Sequence, residues 1–332
     1  MDRTGLAPKD DDLGVRWVAV RHAADHVHIV ATLARQDGTK PSVWNDFYRL
    51  REACQAAERR LGLQATAPAD RTAARRPTRT EAEEAARRGW QEPPRVTLRR
   101  EVCAAAAGAN TEREFFARLR DSGVLVRQRV STRNPGEVTG YAVGLARHRN
   151  QDGGVVWFGG GKLAADLTLP KLRQRWSRRS APPPRSQAGR ITAAERNAAY
   201  EHAARSARAA TEHIRYCSFT DPMRGADAAW AAADVLRIAA RTLRNPELRR
   251  AAEAYDRAAR APHGRIPGCT RPGEELRLAA RRLAVMSPEH GLGGRAEQLV
   301  VSLAMLTAAV ADLRTAQHHA AQAAPADEWP MR

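Results

Sequence analysis

The sequence predicts an α+β protein: a partial antiparallel sheet with its helix, then a small helix–hairpin module, then a mainly α-helical C-terminal region. Three observations carry that expectation. Two runs rich in β-branched and aromatic residues, VRWVAVRH at 15–22 and HVHIVATL at 26–33, flank a short polar break, and two strands so closely joined make a hairpin. A second pair of alternating runs, 124–130 and 138–144, surrounds Asn134-Pro135-Gly136, a strong turn signal. After residue 190 the chain carries successive helix-start signals, with Thr192 and Glu195 as one cap, Asp221-Pro222 as a second start and Asn245-Pro246 as a third.

Taken in order, residues 1–68 form a first module. Asp37-Gly38 turns the chain after the hairpin, and residues 42–61 read as a helix with Phe47, Leu50, Cys54, Ala57 and Leu61 at helical spacing. Gly62 is placed to cap its C-terminus. Residues 69–95 read as a basic linker, with Arg71, Arg75, Arg76 and Arg79 close together and a short helix capped by Thr80 and Glu83. Residues 96–176 read as a helix–hairpin accessory module. Thr111 and Glu114 cap its second helix, which buries Phe115 and Leu119, and Trp157, three glycines, Lys162 and a helical run to Trp176 follow its hairpin. Residues 177–190 are a Pro/Arg linker, and 191–332 the helical region, closing on a long apolar face at 299–313.

Composition narrows the partners. Alanine supplies much of the apolar content and aromatics are 5%, which suits close-packed helices. The net charge is +18 and the sequence pI about 11. Arginine dominates, the only lysines being Lys9, Lys40, Lys162 and Lys171. Codon bias in a high-GC genome explains arginine over lysine, but not the net charge, which points to a polyanionic partner. Cys54, Cys103, Cys217 and Cys269 are far apart and read as free thiols in a reducing compartment. Met1-Asp2-Arg3 and the acidic run at 10–12 are unlike a signal peptide. No apolar run is expected to reach the roughly 18 residues of a membrane span. The expected location is cytoplasmic, without a membrane partner.

The chemistry-bearing motif is HAADHVH, which places His22, His26 and His28 within seven residues. Alternate strand residues share a face, so His26 and His28 point the same way, and His22 ends the preceding strand and folds over to meet them. Three imidazoles on one side leave open coordination positions on the other. A divalent ion (magnesium, manganese or zinc) held there can draw charge from a phosphate oxygen. The competing reading is a set of half-exposed strand histidines with no ligand.

The His26-Val27-His28 pair resembles the signature of the HUH endonucleases. VRWVAVRHAADHVHIVATLARQDG, followed by WNDFYRLREACQAAERRLGL, is similar to the third motif and following helix of relaxase/mobilisation nucleases. Residues 97–145 and the closing WFGGGKLAADLTLPKLRQRW resemble the region after the nuclease core in actinobacterial members. The resemblance covers about residues 5 to 176. It implies strand-specific nicking at a transfer origin in plasmid mobilisation, with a tyrosine attacking a DNA phosphate polarised by a metal on three histidines, here His22, His26 and His28. An Asp two residues after the first histidine is common in the family. Here that position is Ala24, and Asp25, one place later, is the candidate to orient a ligand histidine.

Relaxases of this type place their tyrosine ahead of the histidines, and no tyrosine precedes His22. The expectation is therefore a truncated or split relaxase, completed by a separately encoded N-terminal segment or by relaxosome proteins. Alternatives are a non-enzymatic accessory DNA-binding protein and a nonfunctional remnant. Tyr48 is weighed as a nucleophile because replication-type members carry theirs on a helix after the histidines; beside Phe47 it reads first as an ordinary helix-edge tyrosine. The candidate contacts to DNA, expected to be single-stranded, are Arg21, Arg35, Lys162, Lys171, Arg173, Arg175, Arg178 and Arg179. The last five belong to a run from Lys171 to Arg190 with seven basic residues and no acid, which could equally be a solvated linker. Gly159-Gly160-Gly161-Lys162 lacks the P-loop spacing and has Leu163 where Ser or Thr should stand. It reads as a turn that presents Lys162 to DNA.

Overall fold

The computed structural model describes residues 1–23, 26–63, 70–177, 191–286, 293–317 and 323. The expected α+β class is present, and Cα proximity divides the chain into two units, Met1–Ala69 and Asp70–Arg332.

In the first unit a 3₁₀ turn (Asp2–Thr4) precedes β1 (Val15–Arg21) and β2 (Val27–Arg35), which pair antiparallel with Val18 opposite Val30, Val20 opposite His28 and Arg21 opposite Val27. Asp37 shapes the next turn by accepting from the Thr39 backbone N–H and hydroxyl at 2.9 and 2.6 Å, with Gly38 at φ +80°. Helix α1 (Asp46–Leu61) ends where expected, on Gly62 in the left-handed region, its N–H returning to the Glu58 carbonyl. It starts four residues later than residue 42, after Asn45 at φ +58°. What this unit lacks is a core. Trp17, Val18, Val20, Val27, Ile29, Val30 and Leu33 are exposed across both faces of the hairpin, and α1 buries no residue. Among its described residues only Thr4, Gly14 and Val15 are buried. The helix packs on the 3₁₀ turn rather than on the sheet. An isolated two-stranded sheet is marginal in water at best.

The second unit is built the opposite way. Helix α2 (Arg79–Arg87) is closed by a capping box of Thr78 and Glu81, two residues earlier than the expected Thr80 and Glu83. Glu81 also receives the Arg95 guanidinium at 2.7 Å, so the same carboxylate caps α2 and ties it to α3 (Pro94–Gly108). Helix α4 (Glu112–Asp121) is capped by Thr111 as expected. A three-stranded antiparallel sheet follows, in the order β3 (Leu125–Val130), β4 (Val138–Gly144), β5 (Phe158–Gly159). The short α5 (Gly160–Leu163) and α6 (Leu169–Ser177) lead out of it. Phe115, Phe116, Leu119, Tyr141, Val143, Leu163 and Trp176 make the core of this part.

The remaining helices are α7 (Ala193–Thr220), α8 (Ala226–Thr242), α9 (Pro246–Ala259), α10 (Arg271–Ala284) and α11 (Gly294–Ala316). Helix α8 lies at the centre, burying Trp230, Val235, Leu236 and a series of alanines, and α3 joins both cores through Leu98 and Ala107. By length and composition α11 corrects the expectation that no segment could span a membrane: it has 23 residues and a mean hydropathy of 1.6 over 18 of them. Its Leu299, Leu303, Leu306, Val310 and Leu313 are buried, and its main neighbour is α7, as in a core helix.

Charge runs through this core. Asp227 of α8 pairs with Arg277 of α10, Asp234 of α8 with Arg175 of α6, and Arg237 of α8 with Asp256 of α9. Arg260 bonds Asp166 at 3.0 Å, and Trp230 donates its indole N–H to the same carboxylate at 3.3 Å. Burial pushes the Asp166 carboxyl up, but Arg260 more than offsets it and holds the group below the ordinary carboxylate range. Arg314 of α11 donates to the Ala258 and Ala259 carbonyls, satisfying groups left open at the C-terminus of α9.

Candidate metal centre

The hairpin brings His22, His26 and His28 together. His28 lies opposite Val20, and the Arg21–Val27 pair sets His22 and His26 across from each other just past the last rung. The three ring centroids stand 5.1 to 5.2 Å apart in every pairing. One potential ligand atom from each ring lies within 4.8 Å of the other two, and all three residues are exposed. His22 Nδ1 is 3.1 Å from His26 Nε2. Metal–nitrogen bonds of about 2.0–2.1 Å at tetrahedral angles put ligand nitrogens about 3.4 Å apart, so the trio fits one ion after small ring rotations. The donor set is all imidazole, which suits zinc better than magnesium or manganese, cations that prefer oxygen.

Asp25, the candidate for orienting a ligand ring, lies outside the described residues, as does Ala24. Arg21 donates from Nε to the Ala23 carbonyl at 3.3 Å, placing a guanidinium on the backbone beside the trio. Arg35 is engaged away from it, with Asp11 at 2.7 and 3.0 Å and Asp37 at 3.4 Å. Tyr48 is 44% exposed on α1, the helix that packs on the 3₁₀ turn rather than on the hairpin.

The other candidate DNA contacts fall in the second unit and divide sharply. Lys162 is exposed, and its carbonyl accepts from Arg95 at 3.2 Å. Lys171 gives its ammonium to the Ala165 and His263 carbonyls at 3.0 and 3.3 Å, and burial holds its pKa below the ordinary lysine value. Arg173 bonds Glu112 and the Val138 carbonyl, both at 2.7 Å. Arg175 requires a correction: it is buried against Asp234 with its guanidinium 4.7 Å over the Trp230 ring, so it is a core residue and cannot reach a phosphate. Arg178 and Arg179 lie outside the described residues.

The arginine-rich composition concealed this division. A readable signal did exist: Asp227 and Asp234 are two acids seven residues apart in an otherwise apolar stretch, and residues so spaced share one helix face. Acids on a buried face demand buried cations. Comparison with protein-family models, with curated proteins and with solved structures finds no match.

Proposed function

We propose that the protein is a relaxase-related, metal-binding DNA-binding protein of plasmid mobilisation, acting in the cytoplasm on single-stranded DNA at a transfer origin. The observation that carries this reading is the convergence of His22, His26 and His28 at the mouth of a hairpin, in a solvent-facing cluster with single-ion geometry. Their sequence pattern is the one that resembles the HUH endonucleases. An ion bound there would draw charge from a phosphate oxygen. The imidazoles would hold it, and the Arg21 guanidinium nearby would add positive charge for a DNA backbone. The net charge of +18 supports a polyanionic partner, and the absence of any disulfide among the four cysteines suits a reducing compartment.

Within this reading the chain by itself binds DNA without cutting it. Nicking needs nucleophile, metal and phosphate in one geometry, and Tyr48 sits on a helix that packs chiefly on the 3₁₀ turn. The apolar residues on both faces of β1 and β2 favour completion by a further polypeptide, either a tyrosine-bearing relaxase segment or a relaxosome protein. A purely accessory DNA-binding role is the second reading, supported by the same exposed hairpin.

Titration calorimetry with manganese and zinc should show one site in the wild type and none in His26→Ala or His28→Ala. Equal binding by all three proteins removes the metal centre. Incubation with supercoiled plasmid carrying the transfer origin should leave it supercoiled and yield no covalent adduct. An adduct lost in Tyr48→Phe would make Tyr48 the nucleophile after all.

A further inference from the structure

A second basic feature lies in the helix–hairpin part of the second unit. The β3–β4–β5 sheet turns Val126, Tyr141 and Val143 toward the hydrophobic cluster. Strand alternation therefore puts Arg127 and Arg129 on the opposite face. There Arg127 pairs with Ala142, Arg129 with Gly140, and Ala142 in turn with Gly159. The floor of this face is thus glycine, alanine and glycine across three strands. Above it is a solvent-open groove of about 900 Å³, walled by the two arginines on one side and by the turn leading to Lys162 on the other.

The charge in this groove is one-sided. Its lining holds Arg127, Arg129 and Lys162 and no carboxylate. Arg127 and Lys162 make no ion pair among the described residues. Arg129 is laid down by a 3.3 Å bond from Nε to the Thr139 hydroxyl, and it crosses Gly140 so closely that a Cβ there would come 3.0 Å from its Nη2. Gly140 thus makes room for a guanidinium held along the floor. The glycine turn has a packing role: a Cβ on Gly160 would strike Tyr141 and the Leu167 carbonyl. Arg95, anchored on Glu81, holds the Lys162 carbonyl, so the ammonium of Lys162 projects from a fixed backbone. Arg127 and Arg129 stand two residues apart on a strand, about 6.7 Å, a separation suited to successive phosphates of an extended strand.

We propose that this groove binds the sugar–phosphate backbone of single-stranded DNA, with Arg127, Arg129 and Lys162 each facing a phosphate. The choice of DNA rests on the function proposed above; the location rests on the groove's own geometry. The small-residue floor admits a single strand and offers no protruding helix or ribbon to enter a duplex groove. The one aromatic lining it, Tyr141, has its hydroxyl committed to the Leu167 carbonyl. Binding is therefore ionic and indifferent to base sequence.

The test is fluorescence anisotropy of a labelled oligothymidine with the full chain across a salt series. Each single-strand phosphate contact contributes about −0.7 to the slope of log K against log salt. Arg127→Ala/Arg129→Ala/Lys162→Ala together should flatten that slope by about 2, while Arg79→Ala/Arg88→Ala, at surface arginines paired with Glu83 and Glu84, leaves it unchanged. If the wild type does not bind, both the groove and the DNA-binding function fall. If it binds and the triple variant keeps the wild-type slope, the groove alone falls. Duplex binding as tight as single-strand binding, and equally weakened in the triple variant, would overturn the single-strand assignment. Should the triple variant lose its helical circular dichroism, the exposed single reversal Arg127→Glu decides: at least a tenfold loss of affinity is expected, and no loss overturns the proposal.

Discussion

The two units solve the problem of burying apolar surface in opposite ways. The hairpin unit spends its β-branched and aromatic residues on open faces, with Trp17, Ile29, Val30 and Leu33 in solvent and a helix that rests on a 3₁₀ turn. The larger unit makes two cores, one around the aromatics Phe115, Phe116 and Trp176 and one mainly from smaller side chains. It seals α8 with alanines and buries arginines against aspartates. Hydrophobic content therefore says little about where stability resides. The hairpin has strong strand propensity and no shared interior, whereas the alanine-rich helices have modest side chains and nearly complete burial.

The largest expected difference between the units is in local opening. Hydrogen exchange on the intact chain should find amides of β1, β2 and α1 exchanging on the order of 10⁴-fold faster than those of α8 and α10, because core helices open only with global unfolding. Equal protection would mean that the hairpin unit has an interior and would break the contrast.

Next in size is the buried ion pair. Asp227→Asn leaves Arg277 buried without its counter-charge and should cost the second unit about 3–5 kcal/mol in denaturant titration. Trp17→Ala in the open hairpin should cost less than about 0.5 kcal/mol. A large loss from Trp17→Ala would place that indole in a core.

A metal ion should sharpen the contrast further. At free zinc or manganese 100-fold above its Kd, linkage adds about 2.7 kcal/mol to the state that binds. That gain should appear as slowed exchange in β1 and β2, with the melting of the larger unit unmoved. Protection that rises in both units alike would contradict binding at the histidine trio.

The smallest effect is in pH. Burial lowers the pKa of His148 and of His202 from the ordinary imidazole value, despite Glu84 and Glu275 nearby. The unfolded chain takes up those protons first. The larger unit is therefore fully stable above about pH 6.5, and stability falls as pH drops through that value toward the lowered ones. His148→Asn/His202→Asn should flatten the fall in denaturation midpoint between pH 7.5 and 5.5. An undiminished fall would assign it to other groups.

What could be read from sequence alone was local. The hairpin, the Gly62 cap, the Thr111 and Thr192 caps and the histidine juxtaposition all depend on residues within a few positions of each other, and each is present. The misread positions depend on distant partners. Arg175 needs Asp234, 59 residues away, to become a core residue. The cap of α2 falls at Thr78, whose capping partner Glu81 also answers Arg95. Arg127 and Arg129 carry no local signal, because their open face is defined by Gly140, Ala142 and Gly159 on the neighbouring strands.

The ionic spokes of α8 also bear on uniqueness. Alanine surfaces have little relief, and a helix lined with them can slide against its neighbour with small steric penalty. A slip of one turn is about 5.4 Å. Such a slip would leave alanine on alanine but would part Arg277 from Asp227, Arg175 from Asp234 and Asp256 from Arg237. Among the described residues one ion pair ties α8 to each of α10, α6 and α9, so each of these neighbours has one ionic detent. Replacing Asp227 and Arg277 together by leucine and methionine should keep the helices buried while admitting more than one alignment. Doubled amide resonances along α10 would report it, and a single sharp set would show that shape alone aligns the bundle.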